Sequence, residues 1–139
     1  MTAEVFLDTN IIVYAVDRSP ASAAKNKRAR QIIREGKFGV SAQVVQEFYV
    51  VSTRKLKKPL SPALAIKWVD RLCRAEFTPL DAAIIKTGIA NAKRYQISYW
   101  DGAILAAAEA LGAPVVFTED LNHGQSYGAV KVVNPFLPV

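Results

Sequence analysis

Short apolar segments alternate with helix-like segments along this chain, and that alternation limits the fold more than any other feature. Four segments have the length and composition of buried strands: Val5–Leu7, Phe38–Val40, Val115–Phe117 and Val130–Val133. Helical patterns lie between most of them. Because parallel strands are joined by long crossovers, usually helices, the alternation predicts an α/β fold with a central parallel sheet covered on both faces.

Capping residues give approximate helix boundaries. Ser-Pro pairs and single Ser or Asp residues precede the helical patterns, and glycine follows two of them. Residues 77–80 can form a strand or only an extended link. The predicted helices span residues 11–16, 19–35, 41–53, 61–74, 81–95 and 98–111.

The chain has 139 residues, without an internal repeat, a low-complexity tract or a linker. This length suits one hydrophobic core, so we expect a single domain over residues 1–139. No apolar run reaches the roughly 20 residues that cross a bilayer, and residues 1–7 lack a signal-peptide pattern. Cys73 is the only cysteine, which is compatible with a reducing cytoplasm. We therefore expect a cytoplasmic protein.

Positive charge is concentrated in the first part of the chain. The net charge is +6, and residues 1–58 hold 11 of the 18 Lys and Arg residues but only 5 of the 12 Asp and Glu residues. Such clusters attract phosphate backbones, although a solvated helix face in any basic protein has the same composition. The candidate RNA-binding residues are Lys25, Lys27, Arg28, Arg30, Arg34, Arg54 and Lys55, with Lys37, Lys57 and Lys58 nearby.

Two acidic residues follow predicted strands. Asp8 comes directly after Leu7, and Asp120 lies three residues after Phe117. In open parallel sheets, ligands bind beyond the carboxyl ends of the strands, so both positions are candidates for a site. Asp8 can also be a helix cap, Asp120 can belong to an ordinary acidic turn, and Glu119 is a rival for any role given to Asp120.

Two further acidic residues fall on helix faces that should be apolar. Glu47 shares a helical stripe with Val44, Phe48 and Val51, so the spacing predicts that it faces the core. A carboxylate is rarely buried unless it is paired or bound to a cation, and a salt bridge is the alternative here. Asp101 repeats the pattern, and it can also complete a capping box with Ser98.

Carboxylates that crowd one sheet edge repel one another, at a cost of roughly 4 kcal/mol per pair at ~4 Å and an effective dielectric of 20. A divalent cation relieves that repulsion. Oxygen ligands without Cys or His partners suit Mg²⁺ or Mn²⁺ rather than Zn²⁺, and His123 is the only histidine. Carboxylates with such an ion, on a basic protein, indicate phosphodiester chemistry in which the metal activates the phosphate and water.

Four blocks of residues, in this order, resemble a known family. The chain is similar to the PIN domain family, and more closely to the VapC-type toxin ribonucleases of bacterial and archaeal toxin–antitoxin pairs. The similarity covers nearly the whole length. The blocks that carry it are Phe6–Asn10, Glu47, Ser98–Ile104 and Thr118–Leu121.

The resemblance implies an α/β/α sandwich whose catalytic and metal-binding acids are Asp8, Glu47, Asp101 and Asp120. It implies that Thr118 and Asn10 support this site. It also implies an endoribonuclease that uses Mg²⁺ or Mn²⁺, a small antitoxin that inhibits it and holds it on promoter DNA, and a homodimer. We expect the first three acids to hold the principal ion, directly or through water.

Other readings stay open from the sequence alone. A phosphatase with a covalent aspartate fits the strand-end Asp8, but such enzymes place a second Asp two residues on, where this chain has Asn10. A non-catalytic RNA-binding or protein-binding module on the same fold has no evident need for four acids. A PIN nuclease that processes RNA, rather than a toxin, is the third alternative.

Overall fold

The computed structural model describes residues 3–138, and residues 1, 2 and 139 of the predicted domain lie outside it. Strands and helices alternate as the sequence predicts. The strands are β1 (Val5–Leu7), β2 (Phe38–Ser41), β3 (Glu76–Thr78), β4 (Val115–Phe117), β5 (Ser126–Tyr127) and β6 (Val130–Val133). The helices are α1 (Thr9–Val16), α2 (Ala23–Glu35), α3 (Ala42–Arg54), α4 (Pro62–Cys73), α5 (Ala82–Tyr95) and α6 (Tyr99–Ala110).

The six strands form one sheet in the order β3-β2-β1-β4-β6-β5. All neighbouring strands are parallel except β5, which pairs antiparallel with β6. Together with the helices this makes the α/β/α fold that the sequence predicts. The site depends on the adjacency of β1 and β4, because their carboxyl ends lie side by side at the middle of the sheet.

Local sequence explains most of the helix ends. Ser41, Ser61 and Ser98 each accept a hydrogen bond from the backbone N–H three residues on. Asp81 caps α5 in the same way. Gly36 ends α2 with a φ of 72°, a conformation that glycine adopts without strain. These caps confirm the predicted boundaries to within one or two residues.

Two local predictions differ from the structure. The segment predicted as one helix from Ser19 begins instead with a 3₁₀ turn at Pro20–Ser22, and the Ser19 side chain makes no capping bond. The sequence predicts no strand at Ser126–Tyr127, where β5 forms a two-residue antiparallel pair with β6. Of the two alternatives for residues 77–80, the strand is correct, since β3 covers Glu76–Thr78.

The core lies between the sheet and its helices. Phe6, Leu7, Phe48 and Leu72 are fully buried, and α6 buries every residue from Gly102 to Ala108. Helices α5 and α6 pack closely through glycine, because a Cβ on Gly102 would collide with the Gly88 carbonyl oxygen. None of the described helices is long and apolar enough to cross a membrane.

Candidate active site

Asp8 and Thr118 meet where β1 and β4 end. The two strands are hydrogen-bonded neighbours, and the Asp8 N–H continues the pairing by donating to the Phe117 carbonyl at 3.1 Å. The Thr118 hydroxyl then donates to Asp8 Oδ2 at 2.8 Å, and the Thr9 N–H donates to Asp8 Oδ1 at 2.7 Å. The Asp8 carboxylate is therefore held in one orientation from both sides.

Asp8 is the most buried acid of the site, with only 6% of its surface exposed. Burial raises its pKa from 3.8 to about 6, against the lowering effect of its two hydrogen bonds. The negative charges of Asp120 and Glu47 raise the pKa further. Burial and the neighbouring acids disfavour the charged form of this carboxylate, so a bound cation would stabilise it.

Glu47 lies elsewhere on α3 than its spacing predicts. The expectation that it faces the core is wrong, because its side chain is exposed while Val44, Val45, Phe48 and Ser52 form the buried stripe. At 100° per residue, position 47 stands roughly 115° from the centre of that stripe. Glu47 is nevertheless directed to the site, since the Thr9 hydroxyl donates to its Oε2 at 3.2 Å.

Asp120 is placed by the turn that follows β4. The Asp120 N–H donates to the Thr118 hydroxyl oxygen at 3.0 Å, and Thr118 itself is fully buried. One threonine hydroxyl therefore links the backbone of Asp120 to the carboxylate of Asp8. The predicted supporting role of Thr118 has a clear geometric basis here.

Asp101 approaches the same acids from α6. Its pKa is raised, mainly because it is partly buried, and the charges of Asp120 and Glu47 contribute. The Asp101 N–H donates to the Ser98 hydroxyl at 3.1 Å, but the described hydrogen bonds do not include the reciprocal bond that a capping box predicts. Asp101 is electrostatically coupled to the other acids but does not line their pocket.

An open pocket of about 330 Å³ lies over this group of side chains. Three of the four acids line it, with apolar walls from α1 and α3. Its lining residues are Asp8, Thr9, Asn10, Val13, Tyr14, Glu47, Val51 and Asp120.

Asn10 makes no side-chain hydrogen bond within residues 3–138, and its Oδ1 is a buried acceptor without a partner. The predicted support of Asp8 by Asn10 therefore has no hydrogen bond behind it in this structure. A buried oxygen without a donor, in the wall of an acidic pocket, suits a water molecule or a hydrated cation.

The donor set fits a hydrated hard cation. Within the described part of the chain, no three His, Cys, Asp or Glu side chains are grouped closely enough to hold an ion directly. The pocket instead offers spaced carboxylates and the unpaired oxygen of Asn10. Mg²⁺ commonly keeps several of its waters and binds through one or two carboxylates, so such an arrangement is compatible with it.

Several contributing residues escaped the sequence-based prediction. Thr9 bonds both Asp8 and Glu47, and Gln43 Nε2 donates to Glu47 Oε1 at 3.4 Å. The position of Gln43, four residues before Glu47 on one helix, was the only available signal. His123, for which the sequence indicates no role, links the loop after Asp120 to the end of β6, because its Nδ1 accepts a hydrogen bond from the Asn134 N–H at 3.0 Å.

The candidate RNA-binding residues are not all free for RNA. Lys25 forms an ion pair with Glu119, and Arg30 donates to the Ala15 carbonyl oxygen at 3.1 Å. Lys27 and Arg34 are exposed on α2, while Arg54 and Lys55 are exposed at the end of α3. Fewer of these side chains are therefore free to contact RNA than the sequence clusters suggest.

The fold and the pocket define an α/β protein with a carboxylate-lined site at the carboxyl edge of a parallel sheet. The model of the PIN domain family matches residues 5–126, and the chain belongs to that family. No match is found among curated proteins.

Solved structures share the fold at low sequence identity. A toxin–antitoxin complex from Klebsiella pneumoniae has a TM-score of 0.69 and 16% identity, covering 94% of this chain and 97% of that one. The Mycobacterium tuberculosis toxin VapC20, described as cleaving the sarcin-ricin loop, has a TM-score of 0.65 and 15% identity, with coverages of 84% and 89%. DNA-bound VapBC from Salmonella typhimurium has a TM-score of 0.62 and 18% identity, covering 94% of this chain and 96% of that one.

Proposed function

We propose that this PIN domain protein is a metal-dependent endoribonuclease and the toxin of a toxin–antitoxin pair. The observation that carries the proposal is the buried Asp8 carboxylate, fixed by two hydrogen bonds and facing Glu47 and Asp120 around one open pocket. A module that only binds RNA has no need to bury a carboxylate at this cost. Membership of the family supports the nuclease assignment.

In this proposal Asp8, Glu47, Asp101 and Asp120 hold Mg²⁺ or Mn²⁺, directly or through water. The ion, when bound, supplies Lewis-acid activation of the phosphodiester and of water. Thr118 and Thr9 keep the Asp8 carboxylate oriented, and Thr9 also holds Glu47 over the pocket. Asn10 offers its unpaired oxygen to a water in the pocket wall.

Among residues 3–138, those that line the pocket have acidic, amide, hydroxyl and apolar side chains, and none is a histidine or lysine that could act as a general base. An essential proton acceptor must then be one of the carboxylates or bulk water. Burial raises the pKa of Asp8 to about 6, so in the metal-free protein this carboxylate changes its protonation state close to neutral pH.

Cleavage of total cellular RNA by the purified, metal-free protein tests the proposal. We expect discrete products with added Mg²⁺ or Mn²⁺, none with chelator, and a large loss in Asp101→Asn. Asp70→Asn, an exposed residue on α4 without a described side-chain contact, is the matched control. Absence of cleavage with either metal, in folded protein free of antitoxin, would refute the nuclease assignment.

The toxin role and its partners rest on the structural neighbours, which include a toxin–antitoxin complex and a DNA-bound VapBC. We propose that a small antitoxin inhibits this chain and links it to operator DNA, and that the chain forms a homodimer in the cytoplasm. Co-expression with a small adjacent reading frame should suppress the RNA cleavage and yield a stable complex. A PIN nuclease for RNA processing would lack such an inhibitor.

A further inference from the structure

Glu119, the neighbour of Asp120, accepts hydrogen bonds at both carboxylate oxygens from side chains of α1 and α2. The Tyr14 hydroxyl, from α1, donates to Glu119 Oε1 at 2.8 Å. Lys25 Nζ, from α2, donates to Glu119 Oε2 at 2.6 Å. Lys25 also reaches the Tyr14 hydroxyl oxygen at 3.3 Å, so the three polar groups form a closed ring of contacts.

Aromatic packing fixes the donors of this ring. The Tyr14 and Phe136 rings meet edge to face, with centroids 5.1 Å apart. Lys25 Nζ lies 4.9 Å from the Tyr14 centroid and 5.6 Å from that of Phe136, within the range of cation–π attraction. Because the ammonium group is held by two rings and two oxygens, it is more restrained than in an ordinary surface ion pair.

The backbone on either side of Glu119 belongs to the acidic site. Thr118 donates a hydrogen bond from its hydroxyl to Asp8, and Asp120 is an exposed acid that lines the pocket. Among residues 3–138, no hydrogen bond is formed by the Asp120 carboxylate itself. Its position therefore depends on how firmly the turn is held, by Thr118 on one side and by Glu119 on the other.

We propose that Tyr14, Lys25 and Glu119 form an anchor that positions Asp120 over the pocket. In this arrangement Glu119 is a positioning residue rather than a metal ligand, because its carboxylate forms an ion pair with Lys25 and does not line the pocket that Asp120 lines. The sequence leaves open which of Glu119 and Asp120 belongs to the metal site, and this proposal assigns that role to Asp120. The inference rests on the proposed metal-dependent function.

Tyr14→Phe tests the anchor without changing any charge, and the ring keeps its packing against Phe136. Loss of one hydrogen bond to a charged group should weaken Mn²⁺ binding about five- to tenfold. Isothermal titration of Mn²⁺ into the metal-free full chain measures it, with the melting temperature of each variant as a check of folding. Tyr95→Phe removes a hydroxyl from α5 and is the control.

Lys25→Met distinguishes the anchor from a purely electrostatic effect, because the two predict opposite changes in Mn²⁺ affinity. Removal of a positive charge near a cation site should tighten Mn²⁺ binding if only the electric field matters. The anchor predicts weaker binding, because the turn loses one of its two attachments. Lys93→Met, an exposed lysine on α5, should leave the affinity unchanged.

Combination of Tyr14→Phe with Glu119→Ala separates positioning from ligation. If Glu119 acts only through the anchor, the double variant binds Mn²⁺ no more weakly than Glu119→Ala alone. Losses that multiply would show that Tyr14 acts independently of Glu119, and would overturn the anchor. Full affinity in Tyr14→Phe and Lys25→Met beside a defective Glu119→Ala would make Glu119 a ligand and overturn the anchor as well. A wild-type protein that binds no Mn²⁺ would overturn the proposed function as well.

Discussion

At the scale of single residues, the buried carboxylate of Asp8 makes the stability of the protein depend on pH. Its pKa is raised to about 6 in the folded protein, mainly by burial, from 3.8. The native state therefore holds a proton between about pH 4 and pH 6 that the unfolded chain has released. Stability from this group is complete below pH 4 and is lost as the pH rises through 6.

We predict that metal-free wild-type protein loses about 3 kcal/mol of unfolding free energy relative to Asp8→Asn between pH 4 and pH 7. The shift of roughly two pKa units sets this size. Urea unfolding of both proteins at several pH values measures this difference in unfolding free energy. Because both proteins contain Asp101, its own pH-dependent contribution cancels in the comparison. Parallel pH profiles would show that the Asp8 carboxyl is not perturbed by folding.

Thr118 is the second decisive residue, because its single hydroxyl serves two partners. Thr118→Val keeps the shape but removes the donor to Asp8 Oδ2 and the acceptor of the Asp120 N–H, while the Thr9 N–H still bonds Asp8 Oδ1. We predict a loss of about 1–3 kcal/mol in unfolding free energy and at least tenfold slower RNA cleavage. Thr87→Val, on the exposed face of α5, should change neither quantity.

At the scale of elements, the contact between α5 and α6 sets the direction from which Asp101 reaches the site. The Gly88 carbonyl and the Ala92 nitrogen leave no room for a Cβ at Gly102, with Ala92 N at 3.0 Å from its ideal position. Asn91 Nδ2 donates to the Gly102 carbonyl at 3.0 Å and ties the helices further. The two helices are therefore tightly matched at this point.

Gly102→Ala should destabilise the protein by about 1–3 kcal/mol, although alanine in an exposed helix would stabilise it by up to about 1 kcal/mol. Gly88→Ala meets only contacts of 3.1–3.3 Å and should cost less. Denaturant unfolding of the two variants gives the order directly. A Gly102→Ala protein as stable as the wild type would mean that α5 and α6 are not packed this closely.

Elements were the level at which the sequence was most informative. The caps at Ser41, Ser61 and Ser98 and apolar runs such as Val115–Phe117 depend on residues close together in the sequence. The sequence alone therefore predicts these helices and strands. The strand β5 was missed because two residues, Ser126–Tyr127, carry no periodic signal. It forms only because β6 offers an edge beside it.

The sequence predicts those parts of the site that depend on strand ends, but not those that depend on contacts between residues distant in the sequence. Asp8 and Asp120 follow strands, so topology alone brings them to one edge. The hydrogen bonds from Thr9 to Glu47 and from Tyr14 and Lys25 to Glu119 join residues 38 to 105 positions apart. No local pattern contains such contacts, and the exposure of Glu47 depends on the exact rotation of α3.

At the scale of the whole molecule, the +6 net charge should act on RNA through the exposed residues of α2. Replacement of Lys27 and Arg34 by Ser should weaken RNA binding and reduce its logarithmic salt slope by roughly 1.4, for two phosphate contacts on a single strand. Salt titrations of binding measure the slope. The same change at Lys86 and Lys93 is the control, and equal slopes would assign the α2 charge to solubility.

The central claim is that the acidic pocket performs chemistry on RNA rather than only binding it. Single-turnover cleavage of one RNA by wild-type and Asp8→Asn protein, with RNA affinity measured in parallel, tests this claim most directly. We predict that Asp8→Asn binds the RNA as well as wild type does but cleaves it at least 100-fold more slowly, the loss expected on removal of an ion-activating carboxylate. Cleavage at the wild-type rate by Asp8→Asn, or its loss together with RNA binding, would contradict the account.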